Sequence, residues 1–223
     1  MERTGFMTGL EEKESARPVP SCQIWRYVVP SSALKEVLVL GDSLGTNSLA
    51  AVRGIARVSA LAPGFGVTDP LPFKDGRFDL VILTDYGRDR VRGNDPETIL
   101  RECRRVLTPG GYLYMTAVNR FRARSAGLTL LGFRKNIARA GFGPARWWAC
   151  FPDAREPKYV MDLDGRGPMD YFVSVFLNFD IRNGPLLRGI NRLAGRLGAA
   201  PYLAPGYAVL ARRDGIPVRK GRS

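Results

Sequence analysis

The run Lys35-Glu-Val-Leu-Val-Leu-Gly-Asp-Ser-Leu-Gly45 decides how this chain folds. Val37 to Leu40 is a block of aliphatic residues, apolar enough for a strand buried on both faces. Gly41 ends it abruptly and Gly45 follows four residues later. Leu49, Val52 and Ile55 then recur at helical spacing over Thr46–Ala56. The pattern is strand, tight glycine turn, helix. Backbone N–H groups of such a turn, and of the helix behind it, face outward at the strand's carboxyl end, where they hold a ligand. Ser43 stands where a G-x-G pattern would place its middle glycine.

Working outward, Arg57-Val-Ser-Ala-Leu-Ala62 reads as a second strand, closed by Pro63-Gly64. A loop with two prolines follows over Phe65–Phe73, then a turn at Asp75-Gly76. Phe78-Asp-Leu-Val-Ile-Leu83 is a central strand. Asp95-Pro96-Glu97 opens a helix, with Asp as N-cap, Pro at the first position and Glu in the first turn. Its apolar face is Ile99, Leu100, Cys103, Val106 and Leu107, and Pro109-Gly110-Gly111 stops it. A strand over Tyr112–Val118, a helix over Thr129–Ala140 and strands over Ala145–Phe151 and Gly206–Arg212 complete the pattern. Strands alternating with helices predict an α/β fold with parallel strands at the centre of its sheet.

The spacing divides the chain into an N-terminal arm, 1–34, a globular domain, 35–213, and a basic tail, 214–223. Within the domain, 152–205 is an insertion rich in Asp, Pro and aromatics. In its last part, Leu186, Ile190, Leu193 and Leu197 share one helical face and Arg188, Arg192 and Arg196 the other. That stripe is either a solvated helix face or a weak contact for an anionic surface.

The bulk composition narrows the classes. The chain has 223 residues, which suits one domain with a full core. Its apolar runs fall short of the ~20 residues that a membrane-spanning helix needs. The formal net charge is +13, and only six of the 34 basic residues are Lys. Such a charge permits contact with nucleic acid or anionic lipid. No helix-turn-helix, zinc-finger or aromatic RNP pattern accompanies it, so a nucleic-acid partner is not expected. Cys22, Cys103 and Cys150 are scattered and the chain has no His, which argues against a zinc site. Sparse, odd-numbered thiols point to a reducing cytoplasm.

Four segments, in order, give the chain a family resemblance. They are Val37–Gly45, Leu71-Pro-Phe-Lys-Asp-Gly-Arg-Phe-Asp-Leu-Val-Ile82, Leu100-Arg-Glu-Cys-Arg-Arg-Val-Leu-Thr-Pro-Gly-Gly-Tyr-Leu113 and Gly206-Tyr-Ala-Val-Leu-Ala-Arg-Arg213. Over roughly Lys35–Arg213, the chain resembles a class I S-adenosylmethionine-dependent methyltransferase. Ala138-Arg-Ala-Gly-Phe142 and Phe151–Tyr159 resemble a subgroup associated with small-molecule, sugar or natural-product methylation. The resemblance implies a Rossmann-like, mostly parallel sheet with an antiparallel last strand. It implies S-adenosylmethionine as cofactor and a small polar acceptor, a sugar or a biosynthetic intermediate, methylated by direct displacement.

It also implies roles for particular residues. Gly41, Asp42, Ser43 and Gly45 would face the cofactor's methionine part; Asp42 either meets its ammonium or caps the helix. Ala62 stands where the family usually has the acidic ribose ligand, and alanine cannot accept two hydroxyl hydrogen bonds. Asp69 either approaches the adenine or caps a loop. Only Pro63–Val67 separates the second strand from the place of a third, while parallel neighbours need a crossover of a dozen or more residues. The usual crossover helix is therefore expected to be missing, with the third strand lost or turned back antiparallel. After the central strand, Asp85, Tyr86 and Asp89 stand where relatives often carry an acidic-His pair. They are the candidate catalytic residues, with a turn cap as the other reading of Asp85.

Trp148, Tyr159, Tyr171 and Phe172, with Lys158, Asp162, Asp164 and Asp170, are candidate walls of the acceptor pocket, together with Asn119-Arg-Phe121. Ser43, Ala62 and the absent histidine also support a second reading, a catalytically inactive protein of the same fold serving as partner subunit or scaffold.

Overall fold

The computed structural model describes residues 25–29, 34–41, 55, 57–61, 70–86, 96–120, 128–154, 157–165, 171–172, 193 and 197–214. Seven strands form one sheet: β1 (Glu36–Leu40), β2 (Arg57–Leu61), β3 (Phe78–Tyr86), β4 (Leu107–Val118), β5 (Ala145–Phe151), β6 (Tyr159–Asp162) and β7 (Gly206–Arg212). Their order is β2-β1-β3-β4-β7-β5-β6. β2, β1, β3 and β4 run parallel. β7 is antiparallel to both β4 and β5, and β6 is antiparallel to β5. This is the expected α/β, Rossmann-like sheet with an antiparallel last strand. The four-residue edge strand β6 was not expected; its residues are exposed or half-buried and carry no buried run to mark them.

Among the described residues β2 is the outer strand on its side, and no helix is described between β2 and β3. The expected Thr46–Ala56 and Leu186–Leu197 helices lie outside the described residues except at Ile55, Leu193 and Leu197, as does the Pro63–Val67 link.

The sheet is covered on two faces. On one, Leu38, Leu40, Val81, Leu83, Leu113 and Met115 meet the helix Pro96–Val106 through Leu100, Cys103 and Val106. The helix Leu130–Arg139 covers the same face with Leu130, Phe133 and Ile137. Thr129 caps it, its hydroxyl accepting from the Gly132 N–H at 3.1 Å. On the other face, Val37, Val39, Leu80, Ile82, Tyr114 and Trp148 pack with Trp25, Val29 and Leu34. Trp25, Val28, Val29 and Leu34, in the stretch read as an arm, thus supply core side chains. Trp25, Val28 and Val29, at helical spacing in sequence, were the signal for the short helix Trp25–Val28.

The approach to β3 is fastened by one side chain. Arg105 donates to Glu102 at 2.7 Å, to Asp75 at 2.5 Å, and to the carbonyls of Phe73 at 2.9 Å and Leu71 at 3.0 Å. Glu102 also accepts from the Leu71 N–H at 2.8 Å. The Arg105 hydrogen bond is the main reason the Glu102 carboxyl is held below its usual range. The loop over 70–77 is thereby held to the helix, which sets where β3 begins.

Candidate functional site

Parallel strands leave a crevice at their carboxyl ends where the strand order reverses, and ligands bind there in α/β sheets. In this sheet the reversal falls between β1 and β3, because β2 lies to one side and β4 to the other. The residues at that point are Gly41, directly after β1, and Thr84, near the end of β3. Leu40 pairs with Leu83, so Gly41 and Thr84 come next in register.

Gly41 has φ +120°, a conformation that side-chain-bearing residues rarely adopt. Its N–H lies 3.5 Å from the Leu61 carbonyl, which holds it to β2. A Cβ at Gly41 would lie 2.5 Å from Thr84 Oγ1 and 3.4 Å from the Thr84 carbonyl oxygen. The glycine is required twice, by its dihedral and by its neighbour. Thr84 itself is only 6% exposed, and its hydroxyl has no hydrogen-bond partner among the described residues. Buried polar side chains ordinarily have one.

β3 and β4 change register just here. Leu83 pairs with Met115 but Tyr86 pairs with Ala117, so β3 advances three residues while β4 advances two. Such a step re-aims the side chains that follow it. In regular alternation Tyr86 would join Leu80 and Ile82 on their face; instead it joins Leu83 and Val81. Its ring stacks on Phe133 with centroids 5.9 Å apart, and its hydroxyl accepts from Asn136 Nδ2 at 3.3 Å. Phe133 in turn meets Trp147 edge-on at 5.2 Å. Tyr86 is thus a buried phenol held from two sides.

The other candidates divide. Asp85 belongs to β3, and nothing is described of its side chain. Asp42, Ser43, Gly45, Ala62, Asp69 and Asp89 lie outside the described residues, as does Asp170. Asn119, a candidate for the acceptor wall, has a different task. It is fully buried, and its Nδ2 lies 2.8 Å from the Tyr202 carbonyl, 2.7 Å from that of Ala204 and 2.9 Å from the Tyr207 hydroxyl. The Tyr207 hydroxyl lies 3.1 Å from the Pro201 carbonyl, to which it donates. Burial pushes that phenol's pKa up, with the nearby Tyr202 adding to the effect. The pair ties the turn Ala200–Leu203 to the end of β4.

Of the expected pocket aromatics, Phe172 is buried against Phe151 at 4.8 Å and Tyr159 at 5.3 Å. Trp148 lies in the core on the opposite face, under the Arg146 guanidinium at 5.5 Å. Tyr171 is 63% exposed. Asp162 accepts from Arg146 at 3.0 Å and from the Asp164 N–H at 2.8 Å, which ties it into the β5–β6 hairpin. A surface groove of about 340 Å³ lies between Ile137, Phe142 and Trp147. It reaches Ala145, the first residue of β5, and so sits toward the opposite end of the strands from Gly41. Among the described residues no group of acidic, Cys or His side chains is placed to hold a metal, and no helix is long and apolar enough to cross a membrane.

Sequence reasoning missed Thr84. A threonine after four apolar residues at a strand's end is a signal, but its isolation from partners is not readable from sequence.

A methyltransferase-domain family model matches residues 48–115. No curated protein matches the chain. Among solved structures, phosphoethanolamine N-methyltransferase 2 of Haemonchus contortus, in complex with phosphomonomethylethanolamine and S-adenosylhomocysteine, is similar at 14% identity and TM-score 0.50. That alignment covers 88% of this chain and 53% of that one. The cyclase SpnF aligns at 20% identity and TM-score 0.48, over 87% of this chain and 81% of its own. An S-adenosylmethionine-dependent methyltransferase from Archaeoglobus fulgidus aligns at 13% identity and TM-score 0.45, over 86% and 92%. At such identities a likeness concerns the fold alone.

Proposed function

We propose that the chain is a class I S-adenosylmethionine-dependent methyltransferase that methylates a small polar acceptor, a sugar or biosynthetic intermediate, by direct displacement; the methyltransferase-domain match over residues 48–115 and the strand order support this reading. The observation that carries this reading is the Gly41–Thr84 contact at the reversal of strand order. A buried hydroxyl with no partner among the described residues, set against Gly41, is a costly arrangement. Such costs persist where a ligand makes use of them.

The described residues at this edge fit the cofactor. Gly41 places no side chain at this edge, and in this reading Asp42, Ser43 and Gly45 continue the cradle while Asp69 lies toward the adenine. The bound cofactor supplies a methyl group activated on a sulfonium. The protein's part is to fix the acceptor atom in line and to exclude water, and positioning of this kind supplies much of the rate. A base is needed only if the acceptor must lose a proton. Asp85 and Asp89 are the carboxylates assigned to that edge, and Tyr86 acts there from a fixed place. Phe151, Tyr159 and Phe172, at the carboxyl end of β5, wall the acceptor side. Cys103 is a buried thiol outside any disulfide, which supports a reducing compartment, the cytoplasm.

A thermal-shift titration with S-adenosylmethionine tests the reading. Ligand at ~100 times its dissociation constant stabilises the fold by ~2.7 kcal/mol. For a domain of this size that is a rise of about 5–10 °C. No rise at millimolar cofactor refutes the proposal and leaves the chain an inactive relative.

A further inference from the structure

The groove beside the helix Leu130–Arg139 is apart from the crevice at Gly41 and carries its own charges. Ile137, Phe142, Ala145 and Trp147 give it an apolar, partly aromatic lining, and its volume of about 340 Å³ suits one small ligand. Arg134 and Asp164 line it as well. The guanidinium carbon of Arg134 stands 5.4 Å from the centroid of the Trp147 ring, within reach of a cation–π contact. Its Nε is covered and has no hydrogen-bond partner among the described residues. Neither Arg134 nor Asp164 forms an ion pair among the described residues, so the two charges share the groove without neutralising each other.

A surface arginine is ordinarily free to turn into solvent. This one is laid against an aromatic face with its Nε covered, which leaves the two terminal nitrogens as its outward donors. A planar fork held in that way is prepared for a carboxylate, which it binds with two parallel hydrogen bonds. Asp164 is exposed, and its carboxylate suits a cation. The Asp214 carboxylate lies against Gly143, another lining residue, and adds negative charge near the groove. A simple anion would meet these carboxylates, and a simple amine would meet the guanidinium. A ligand that carries both charges on an apolar body matches all of the lining. We propose that this groove binds an α-amino acid with an apolar or aromatic side chain: Arg134 takes its carboxylate, Asp164 its ammonium, and Phe142 and Trp147 its side chain. The groove lies toward the opposite end of the strands from Gly41, so the bound amino acid is not the methyl acceptor and the proposal does not depend on the cofactor reading.

The experiment titrates L-phenylalanine into the full chain, read by tryptophan fluorescence and calorimetry. Two analogues each lack one charge: phenethylamine has no carboxylate and 3-phenylpropionate has no ammonium. Phenylalanine should bind saturably. Phenethylamine should bind about tenfold more weakly, because it forgoes the paired bonds to Arg134. 3-Phenylpropionate should lose only about three- to fivefold, because Asp164 is exposed. Arg134→Gln should weaken phenylalanine about tenfold and leave phenethylamine unchanged. Asp164→Asn should weaken phenylalanine about three- to fivefold and leave 3-phenylpropionate unchanged. Ala138→Glu, at an exposed helix position one turn from Arg134, places a competing carboxylate there and should weaken phenylalanine as Arg134→Gln does. It decides the matter if the glutamine variant does not fold. Absence of saturable phenylalanine binding overturns the proposal, and so does phenethylamine binding as tightly as phenylalanine. Phenylalanine affinity left unchanged by Arg134→Gln or by Ala138→Glu also overturns it.

Discussion

Replacing Gly41 with alanine separates the two reasons for that glycine. The first is the dihedral: φ is +120°, and an L side chain there costs about 1–3 kcal/mol. The second is steric. The new Cβ would meet Thr84 Oγ1 at 2.5 Å, about an ångström inside an ordinary contact, on a short, stiff side chain that has little room to yield. Overpacking of this kind costs a further 1–3 kcal/mol, roughly. Gly41→Ala should therefore destabilise by about 2–6 kcal/mol, a melting loss of about 5–20 °C. In a Thr84→Ala background the overlap disappears and only the dihedral cost remains. The next nearest atoms, the Thr84 carbonyl oxygen at 3.4 Å and Cβ at 3.7 Å, are at ordinary contact distance. The double-mutant cycle, read by urea denaturation of the four proteins, should show a coupling of about 1–3 kcal/mol. Additivity within about 0.5 kcal/mol would mean that the two residues do not meet, and the crevice described here would be wrong.

Two further perturbations test the frame around the site. Glu102 titrates lower in the folded protein than its ordinary value of 4.5, first because Arg105 donates to it. A depressed carboxyl contributes stability that is complete above the unfolded value and is lost as pH falls through the folded one. The melting-temperature gap between wild type and Glu102→Gln should thus be constant at neutral pH and narrow on acidification below about 4.5; a gap that widens in acid would contradict the assignment. Asn119→Leu leaves the Tyr202 and Ala204 carbonyls without their shared amide and forces a larger apolar group into a filled site. It should cost about 2–4 kcal/mol and open the turn Ala200–Leu203 to limited proteolysis. Unchanged cleavage in that turn would show that Asn119 does not hold it.

All the strands but β6 were legible as short, largely apolar runs, several ended by a breaker. Leu40 before Gly41 and Phe151 before Pro152 show it. The helix Pro96–Val106 was legible from its Asp-Pro-Glu opening and its apolar face. Pro109–Gly111 was read as a break between helix and strand. The structure instead begins β4 at Leu107, which pairs with Phe78 before the ladder resumes at Tyr112–Leu80. The glycines are a loop thrown out of a strand. No local pattern distinguishes that from a turn, since the pairing with β3 is what makes it. The same holds for Asn119. It was read as a candidate wall of the acceptor pocket, while the carbonyls that hold it come from residues 202 and 204, far along the chain.

The register step between Leu83 and Tyr86 joins packing to the site. A regular β3 would turn Tyr86 toward the Val39–Ile82 face, leaving Phe133 without its stacking partner and Asn136 without the phenol oxygen. The step avoids that by giving β3 an extra residue, and the residues it displaces from regular pairing are Thr84 and Asp85. The helix Leu130–Arg139 thus supports the crevice without touching it: by binding Tyr86, it holds the step in place, and the step leaves Thr84 facing Gly41. A chain with no histidine has few groups able to take a proton at this edge. In the reaction proposed above, Asp85 and Asp89 stand with Tyr86 as the candidate proton acceptors at this edge. An acceptor whose nucleophile needs no deprotonation would suit this edge best, because orientation alone then suffices for the transfer.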